Sequence, residues 1–300
     1  MIHITLSDGS LREYDQPLSV YEFAASIGAG LAKAAVAGRV DGVLVDCRFI
    51  IEADARVSIV TPQEPDGLEI LRRSCALMLA MSIRQLYPKA QLQTGTALGD
   101  GFFYEFTFER PLDLFDLACI EARMKILAAT NHSIRCRNPS SRSMLTETSA
   151  YLIGDFECVS VGPHVPATRV LQAFALDHIS GTAPQRIYGT CWSCQQELED
   201  WLAPPHVIIV NMDYRQADYA QSVTEALRRS GVRARADLRS EKVRHKIREH
   251  SQQVPYLVVI GEKEKTGRFV SVRSRTGEDF GTMAVEVVCD WLRSTGIAGT

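Results

Sequence analysis

No stretch of this chain carries about 18 uninterrupted apolar residues, the length a bilayer-spanning helix needs, so no membrane span is expected. The start, MIHITLSDGS, lacks a basic region followed by an apolar run, so no secretory signal is expected. The eight cysteines follow no framework spacing. Without an export signal they read as reduced thiols and the location as cytoplasmic. Internal repeats and low-complexity segments are also absent. What remains is the composition of an ordinary globular protein, with 46% hydrophobic and 23% charged residues. Three hundred residues suit two or three domains.

The net charge of -3 hides an asymmetry. From Ala203 to Thr300 there are 16 Lys and Arg against 12 Asp and Glu; residues 1 to 202 hold 17 against 24. A mildly basic tail on an acidic body suits RNA contact at the C-terminal end, although ordinary surface variation gives the same imbalance.

Residues 1–62 read as a small β-grasp-like module. Ile2 to Leu6 alternates like a strand, and Asp8-Gly9 signals a hairpin. Ser19 and Glu22 form a capping-box pattern before an apolar helix that Gly28 can stop. Strand-like runs follow at Ala35 to Val40, Val43 to Val45 and Val57 to Val60. The polar, Pro-rich run Thr61 to Gly67 marks a boundary. Residues 67–196 read as an α+β region. Its helices are expected at Leu68 to Leu86 and Asp113 to Ala129. Strands are expected from about Phe102 to Phe108 and at Phe156 to Val161, with a polar, weakly periodic stretch from Arg135 to Tyr151. Residues 203–300 alternate strand and helix: strand Val207 to Val210, helix Asp213 to Arg229, strand Val232 to Ala236, helix Glu241 to Ser251, strands Tyr256 to Ile260 and Phe269 to Val272, and helix Thr282 to Arg293. That order predicts βαβ units, a mostly parallel doubly wound sheet and helices on both faces.

Three stretches resemble the bacterial threonyl-tRNA synthetase family, in the right order and nearly end to end. IGAGLAKAAVAGRVDG (Ile27 to Gly42) is similar to its N-terminal TGS module. GLEILRRSCA, with VGPHVP (Val161 to Pro166) and RIYGTCW (Arg186 to Trp192), is similar to its second N-terminal domain, which clears mischarged serine from tRNA. WLAPPHVIIVNM (Trp201 to Met212), ADLRSEKVRHKIREH (Ala236 to His250) and VPYLVVIGEKE (Val254 to Glu264) resemble its anticodon-binding domain. The resemblance implies a TGS β-grasp module, an α+β editing-like domain and a doubly wound anticodon-binding domain. In the family a class II catalytic domain of several hundred residues separates the second block from the third; here Trp192 and Trp201 are nine positions apart. That leaves no room for an ATP site or the arginines that stabilise adenylation. Family dimers pair mainly through the missing domain, so a monomer is implied.

The family's editing helix carries H-x-x-x-H, which puts two imidazoles on one helix face. The resemblance places Arg73 and Leu77 at those positions, Met81 at a further histidine, and Ser160 at the cysteine of C-R-G-P-H. Cys158 stands at an aspartate two residues before it, and only His164 persists. Arginine stays protonated, and leucine and methionine do not titrate. The pocket therefore reads as degenerate, with no catalytic residue assigned; the other reading is a reworked pocket in which His164 and Ser160 form a base–hydroxyl pair. The segments from Ser133 to Phe156 and from Ser180 to Gln185 are short for the family. For RNA, the resemblance points to Glu264 and Arg273 as base contacts, with Ser240 where asparagine is usual. A carboxylate accepts from base amino groups, and arginine forms a two-pronged bond to guanine. Arg239, Lys242, Arg244, Lys246 and Arg248 are the expected phosphate contacts, against the plainer alternative of a solvated helix face.

Cys191 and Cys194 have metal-ligand or redox spacing but no second pair nearby, so no metal is expected. Gly28-Ala29-Gly30 lacks the remaining glycine of a nucleotide loop. No cofactor is expected. The expected partner is tRNA, threonine tRNA foremost, with a full-length synthetase or an mRNA that mimics the anticodon as others. Three roles stand open: a noncatalytic tRNA-binding paralogue, a free-standing deacylase of mischarged tRNA, and a protein-interaction module.

Overall fold

The computed structural model describes residues 1–137 and 148–295. The middle of the Arg135-to-Tyr151 stretch and the last five residues of the 203–300 segment lie outside the described residues. The chain forms two compact units, Met1–Leu198 and Glu199–Thr300.

The first unit opens with β1 (Ile2–Thr5), β2 (Leu11–Tyr14), β3 (Leu18–Ser19), α1 (Val20–Ile27), α2 (Ala29–Ala34), β4 (Ala37–Val40), β5 (Val43–Val45), β6 (Ile50–Ile51) and β7 (Ala55–Val60). β1 and β2 form the expected hairpin, with Gly9 left-handed in its turn. Ser19 caps α1, and Glu22 closes the box back onto it. The five-stranded sheet runs β2-β1-β7-β4-β5, with β1 and β7 parallel at its centre. Phe23 and Val20 of α1 fill one face against Ile4, Val40 and Val57.

The unit continues with α3 (Pro65–Leu86), β8 (Gln91–Leu98), β9 (Gly101–Thr107), α4 (Leu114–Thr130), β10 (Ile134–Cys136), β11 (Thr148–Ile153), β12 (Phe156–Val161), β13 (Ala173–Ser180), β14 (Gln185–Trp192) and α5 (Gln195–Leu202), which crosses into the second unit. α3 starts inside the Pro-rich run, with Pro65 in the first turn, where its missing N–H costs nothing. It is buried nearly all round from Ile70 to Ile83, as the central element of a core must be. It packs on the sheet β13-β14-β9-β8 and against α4. A separate antiparallel sheet, β10-β11-β12, carries Ser160. The expected break at Thr61 to Gly67 does not divide two compact units: Val36, Ala37 and Val60 share one apolar core with Ile70, Cys75, Leu77 and Phe174.

The second unit holds β15 (Val207–Asn211), α6 (Ala217–Arg229), β16 (Ala234–Asp237), α7 (Val243–His250), β17 (Tyr256–Ile260), α8 (Glu262–Gly267), β18 (Phe269–Ser274), β19 (Asp279–Ala284) and α9 (Val285–Ser294). The sheet order is β16-β15-β17-β18-β19. Alternation along β15 sorts the core: Val207 and Ile209 join α6 and α9, while Ile208 and Val210 join Val243 and Ile247 of α7. The sheet is less parallel than expected. β15 is parallel to β16 and β17, but β17–β18 and β18–β19 are antiparallel. A four-residue connection with Gly277 at φ +87° can only fold β18 back onto β19, because a parallel neighbour needs a long crossover. Residues from Thr282 to Ala284, expected in the last helix, are the end of β19.

Candidate nucleic-acid interface and a histidine pocket

Three elements converge on His164. Gly162-Pro163 turns the chain out of β12 and brings the imidazole back beside it. The His164 N–H donates to Asp46 Oδ1 (2.9 Å), ring Nδ1 lies 3.1 Å from Ser74 Oγ, and Nε2 lies 3.0 Å from Ser160 Oγ. Ser74 spends its only proton on the Ile70 carbonyl (2.7 Å) and accepts from the Val165 N–H (3.0 Å). The ring Nδ1–H is therefore the donor to Ser74, and Nε2 accepts from the Ser160 hydroxyl. Tyr151 stands edge-on to the ring at 4.4 Å and donates its hydroxyl to Asp46 Oδ2 (3.0 Å). Position 162 must be glycine, since a Cβ there would lie 1.9 Å from the Tyr151 hydroxyl. Burial, then the Arg73 guanidinium, pushes the His164 imidazole down to about 3. It is held neutral and is a weak base.

The other positions around the pocket are occupied by side chains that brace it. Arg73 is buried, donates Nη1 to the Gly162 carbonyl (2.8 Å) and pairs with Glu69 through Nη2. Leu77 and Met81 are buried in the apolar core. Cys158, two residues before Ser160 on β12, has its thiol 3.3 Å from the Tyr104 hydroxyl. Cys191 is buried at the end of β14 and Cys194 is exposed.

In the second unit, parallelism puts the C-terminal ends of β15, β16 and β17 on one edge of the sheet, where α/β folds place their ligands. Two of the expected phosphate contacts are not on that surface. Lys246 is 1% exposed. Its Nζ donates to Asn211 Oδ1 (2.8 Å) and the Asp237 carbonyl (2.9 Å), tying the ends of β15 and β16 together. Arg239 is held by Asp237 Oδ2 (2.5 Å) and Glu249 Oε2 (2.9 Å), and His250 Nε2 also reaches Asp237 Oδ2 (2.8 Å). Burial opposes the charge of Asp237, but hydrogen bonds from Arg239 and His250, with the Arg239 and Lys246 charges, hold its carboxyl well below the usual range. Both basic groups are thus consumed by an internal network. Lys242, Arg244 and Arg248 are exposed and carry no ion pair among the described residues.

Glu264 follows β17, and Arg273 lies on β18, the next strand. Glu264 lies in the first turn of α8. Its Oε2 accepts from the Gly261 N–H (2.9 Å), and its Oε1 accepts from the Ser271 hydroxyl on β18 (2.8 Å). Burial opposes ionisation, yet these bonds keep its carboxyl below the usual range. Arg273 is two residues beyond Ser271 on the same face of β18 and pairs loosely with Asp279 across to β19 (3.3 Å). Ser271, Arg273, Thr282 and Asp279 form a polar sheet face that α7 leaves uncovered. Ser240, between β16 and α7, is exposed. The sequence reading missed Tyr214, which is 80% exposed in the turn after β15, capped by Asp213 and followed by Arg215, whose carbonyl takes the Lys265 ammonium (2.5 Å).

Residues 206–295 match the family model for the anticodon binding domain, and residues 2–61 match that for the TGS domain. The threonine–tRNA ligase of Methylibium petroleiphilum is 41% identical over 232 residues, which cover 67% of this chain and 36% of that protein. The chain is a homologue of the threonine–tRNA ligases. The enzyme of Hahella chejuensis is 40% identical over 230 residues, with 66% and 36% covered. The chain thus spans about a third of the length of the curated relatives it matches. The solved RNA binding domain of threonyl-tRNA synthetase from Cryptosporidium parvum aligns at 18% identity and a TM-score of 0.29, over 49% of this chain and 42% of that one. Among the described residues no helix is long and apolar enough to cross a membrane.

Proposed function

We propose that this chain is a noncatalytic relative of the threonine–tRNA ligases that binds threonine tRNA and serves as a partner subunit or regulator of translation. Residues 1–62 form its TGS module, 67–196 a degenerate editing-like domain and 203–300 its anticodon-binding domain. The observation that carries the reading is the match to the anticodon binding domain, joined to the preceding region with Trp192 and Trp201 only nine positions apart. Purified free of the host's synthetase, the chain is expected to show no threonine-dependent ATP–pyrophosphate exchange; exchange above a blank overturns the noncatalytic reading.

The binding surface is the uncovered face of β18 and β19 with the adjoining strand ends. Arg273, which is exposed and only loosely paired, reads a base. Glu264, ionised and already braced, accepts through its remaining lone pairs. Ser240 lies after β16, and Lys242, Arg244 and Arg248, which follow it, hold phosphates. Arg273→Ala is expected to weaken threonine tRNA by about 1–3 kcal/mol and to relax discrimination against other anticodons. Arg244→Ala is expected to weaken every tRNA alike and to flatten the salt dependence. Titrations against threonine tRNA and one unrelated tRNA check both; equal affinities untouched by Arg273→Ala leave only a charged surface. A second reading, trans-editing of mischarged tRNA, draws on one observation: the Ser160 hydroxyl donates to a neutral imidazole at 3.0 Å.

A further inference from the structure

The first unit contains a cavity of about 90 Å³ that neither Ser160 nor Arg73 lines. Its polar wall is Asp46, Arg48 and Arg135; Cys47, Ile134, Cys136 and Pro166 supply the apolar part, and His164 also lines it. Among the described residues, no ion pair neutralises the charges on this wall. Asp46 is 7% exposed and accepts only from neutral donors, the His164 N–H at 2.9 Å and the Tyr151 hydroxyl at 3.0 Å. Burial, only partly offset by those two bonds, raises its carboxyl to about 6, the state of an acid that lacks a cation. Arg48 and Arg135 are exposed and pair with no carboxylate among the described residues; Arg135 Nε donates only to Ser133 Oγ (3.0 Å).

One buried negative group and two unpaired positive ones on the wall of a small, partly apolar cavity select a ligand by its charges. A simple anion such as phosphate meets the Asp46 carboxylate. A simple amine meets two guanidiniums. A molecule carrying an ammonium and a carboxylate on one carbon satisfies both, and the volume leaves room for only a short side chain. Cavities with a few convergent polar groups and an uncompensated acid are where small ligands bind. We propose that this cavity binds a small free α-amino acid as its zwitterion, the ammonium on Asp46 and the carboxylate between Arg48 and Arg135. An aminoacyl ester has no free carboxylate to place between the guanidiniums, and Ser160 and Arg73 do not line the cavity, although His164 borders both it and the Ser160 pocket. Asp46 also holds the His164 N–H, so occupancy is felt at that pocket.

The test is calorimetric titration of the whole chain with L-serine, L-threonine, serine methyl ester and N-acetylserine. The free amino acids are expected to saturate the protein. The ester and the acetylated form are each expected to bind at least about tenfold more weakly, the scale of one lost charge-assisted contact. Asp46→Asn keeps an acceptor for the His164 N–H and removes the charge; it is expected to melt no lower than the parent and to lose at least about tenfold in serine affinity. Arg48→Ala, an exposed change, is expected to do the same from the other end. No saturation by either amino acid in the millimolar range overturns the proposal. So does an ester that binds as well as free serine, or serine binding unchanged in both variants.

Discussion

Lys246→Ala is expected to unfold the second unit instead of loosening its hold on RNA. The ammonium is fully enclosed and is the donor to Asn211 Oδ1 and to the Asp237 carbonyl, at the ends of two adjacent parallel strands. Removing it strands those acceptors, deletes a cation 3.8 Å from Asp237 Oδ1 and opens a void the length of a lysine stem. Breaking a buried, hydrogen-bonded charge in this way costs about 3–5 kcal/mol, a large share of the roughly 5–15 kcal/mol that holds a domain folded. Denaturant titration of the parent and the variant measures it. A variant as stable as the parent but deficient in tRNA binding would return Lys246 to the RNA surface. Lys242→Ala and Arg248→Ala, both exposed, are the contrast: stability within about 0.5 kcal/mol of the parent, and affinity reduced.

The second large effect is a missing rate. Seryl-tRNA for threonine is expected to lose its serine in the presence of this chain no faster than without it, and His164→Ala is expected to change nothing. The geometry of a base and a hydroxyl is present at 3.0 Å, with Ser74 fixing the ring. The proton affinity is not. An imidazole lowered to about 3 by burial and by Arg73 gains little by taking the Ser160 proton, and the imidazolium would form inside the core beside a fixed guanidinium. General base catalysis is worth about 100- to 10,000-fold when the base is poised near the working pH, and that factor is what the pocket forgoes. Hydrolysis above the spontaneous rate, lost in both His164→Ala and Ser160→Ala, would establish the trans-editing reading in its place.

Much of the fold can be read directly along the chain where short-range rules decide it. Ser19 and Glu22 cap a helix, Asp113 caps another, and Val207 to Asn211 is a run apolar enough to be a buried strand. Strands that are neither alternating nor apolar escape that reading. β8 is half-exposed along its length and is a strand because β9 pairs with it, and β13 and β14 are held by each other and by β9. The site shows the same division. His164 and Ser160 are four residues apart and could be paired from the sequence, but Ser74 and Asp46 are brought there from elements about a hundred residues away. Lys246 was misplaced for a simpler reason. Lys242, Arg244, Lys246 and Arg248 form an every-other-residue series, which is no face of a helix. At 100° per residue Arg244 and Arg248 point together, while Lys246 turns away with Val243, Ile247 and His250.

The core shared by Val36, Ala37 and Val60 with α3 has a bearing on how such a gene can be cut and rejoined. A fragment ending near Thr61 would carry an uncovered apolar seam, and the remainder would begin with the facing seam of a helix whose side chains no longer meet a partner. Arg39 and Asp66, joined across the same seam, would each be left with an unanswered charge. The first sixty residues, matched as a TGS domain, keep a core of their own around Ile4, Val20, Phe23 and Val57 but also carry an edge shaped to α3. Anything appended or exchanged upstream of α3 inherits the obligation to fit it.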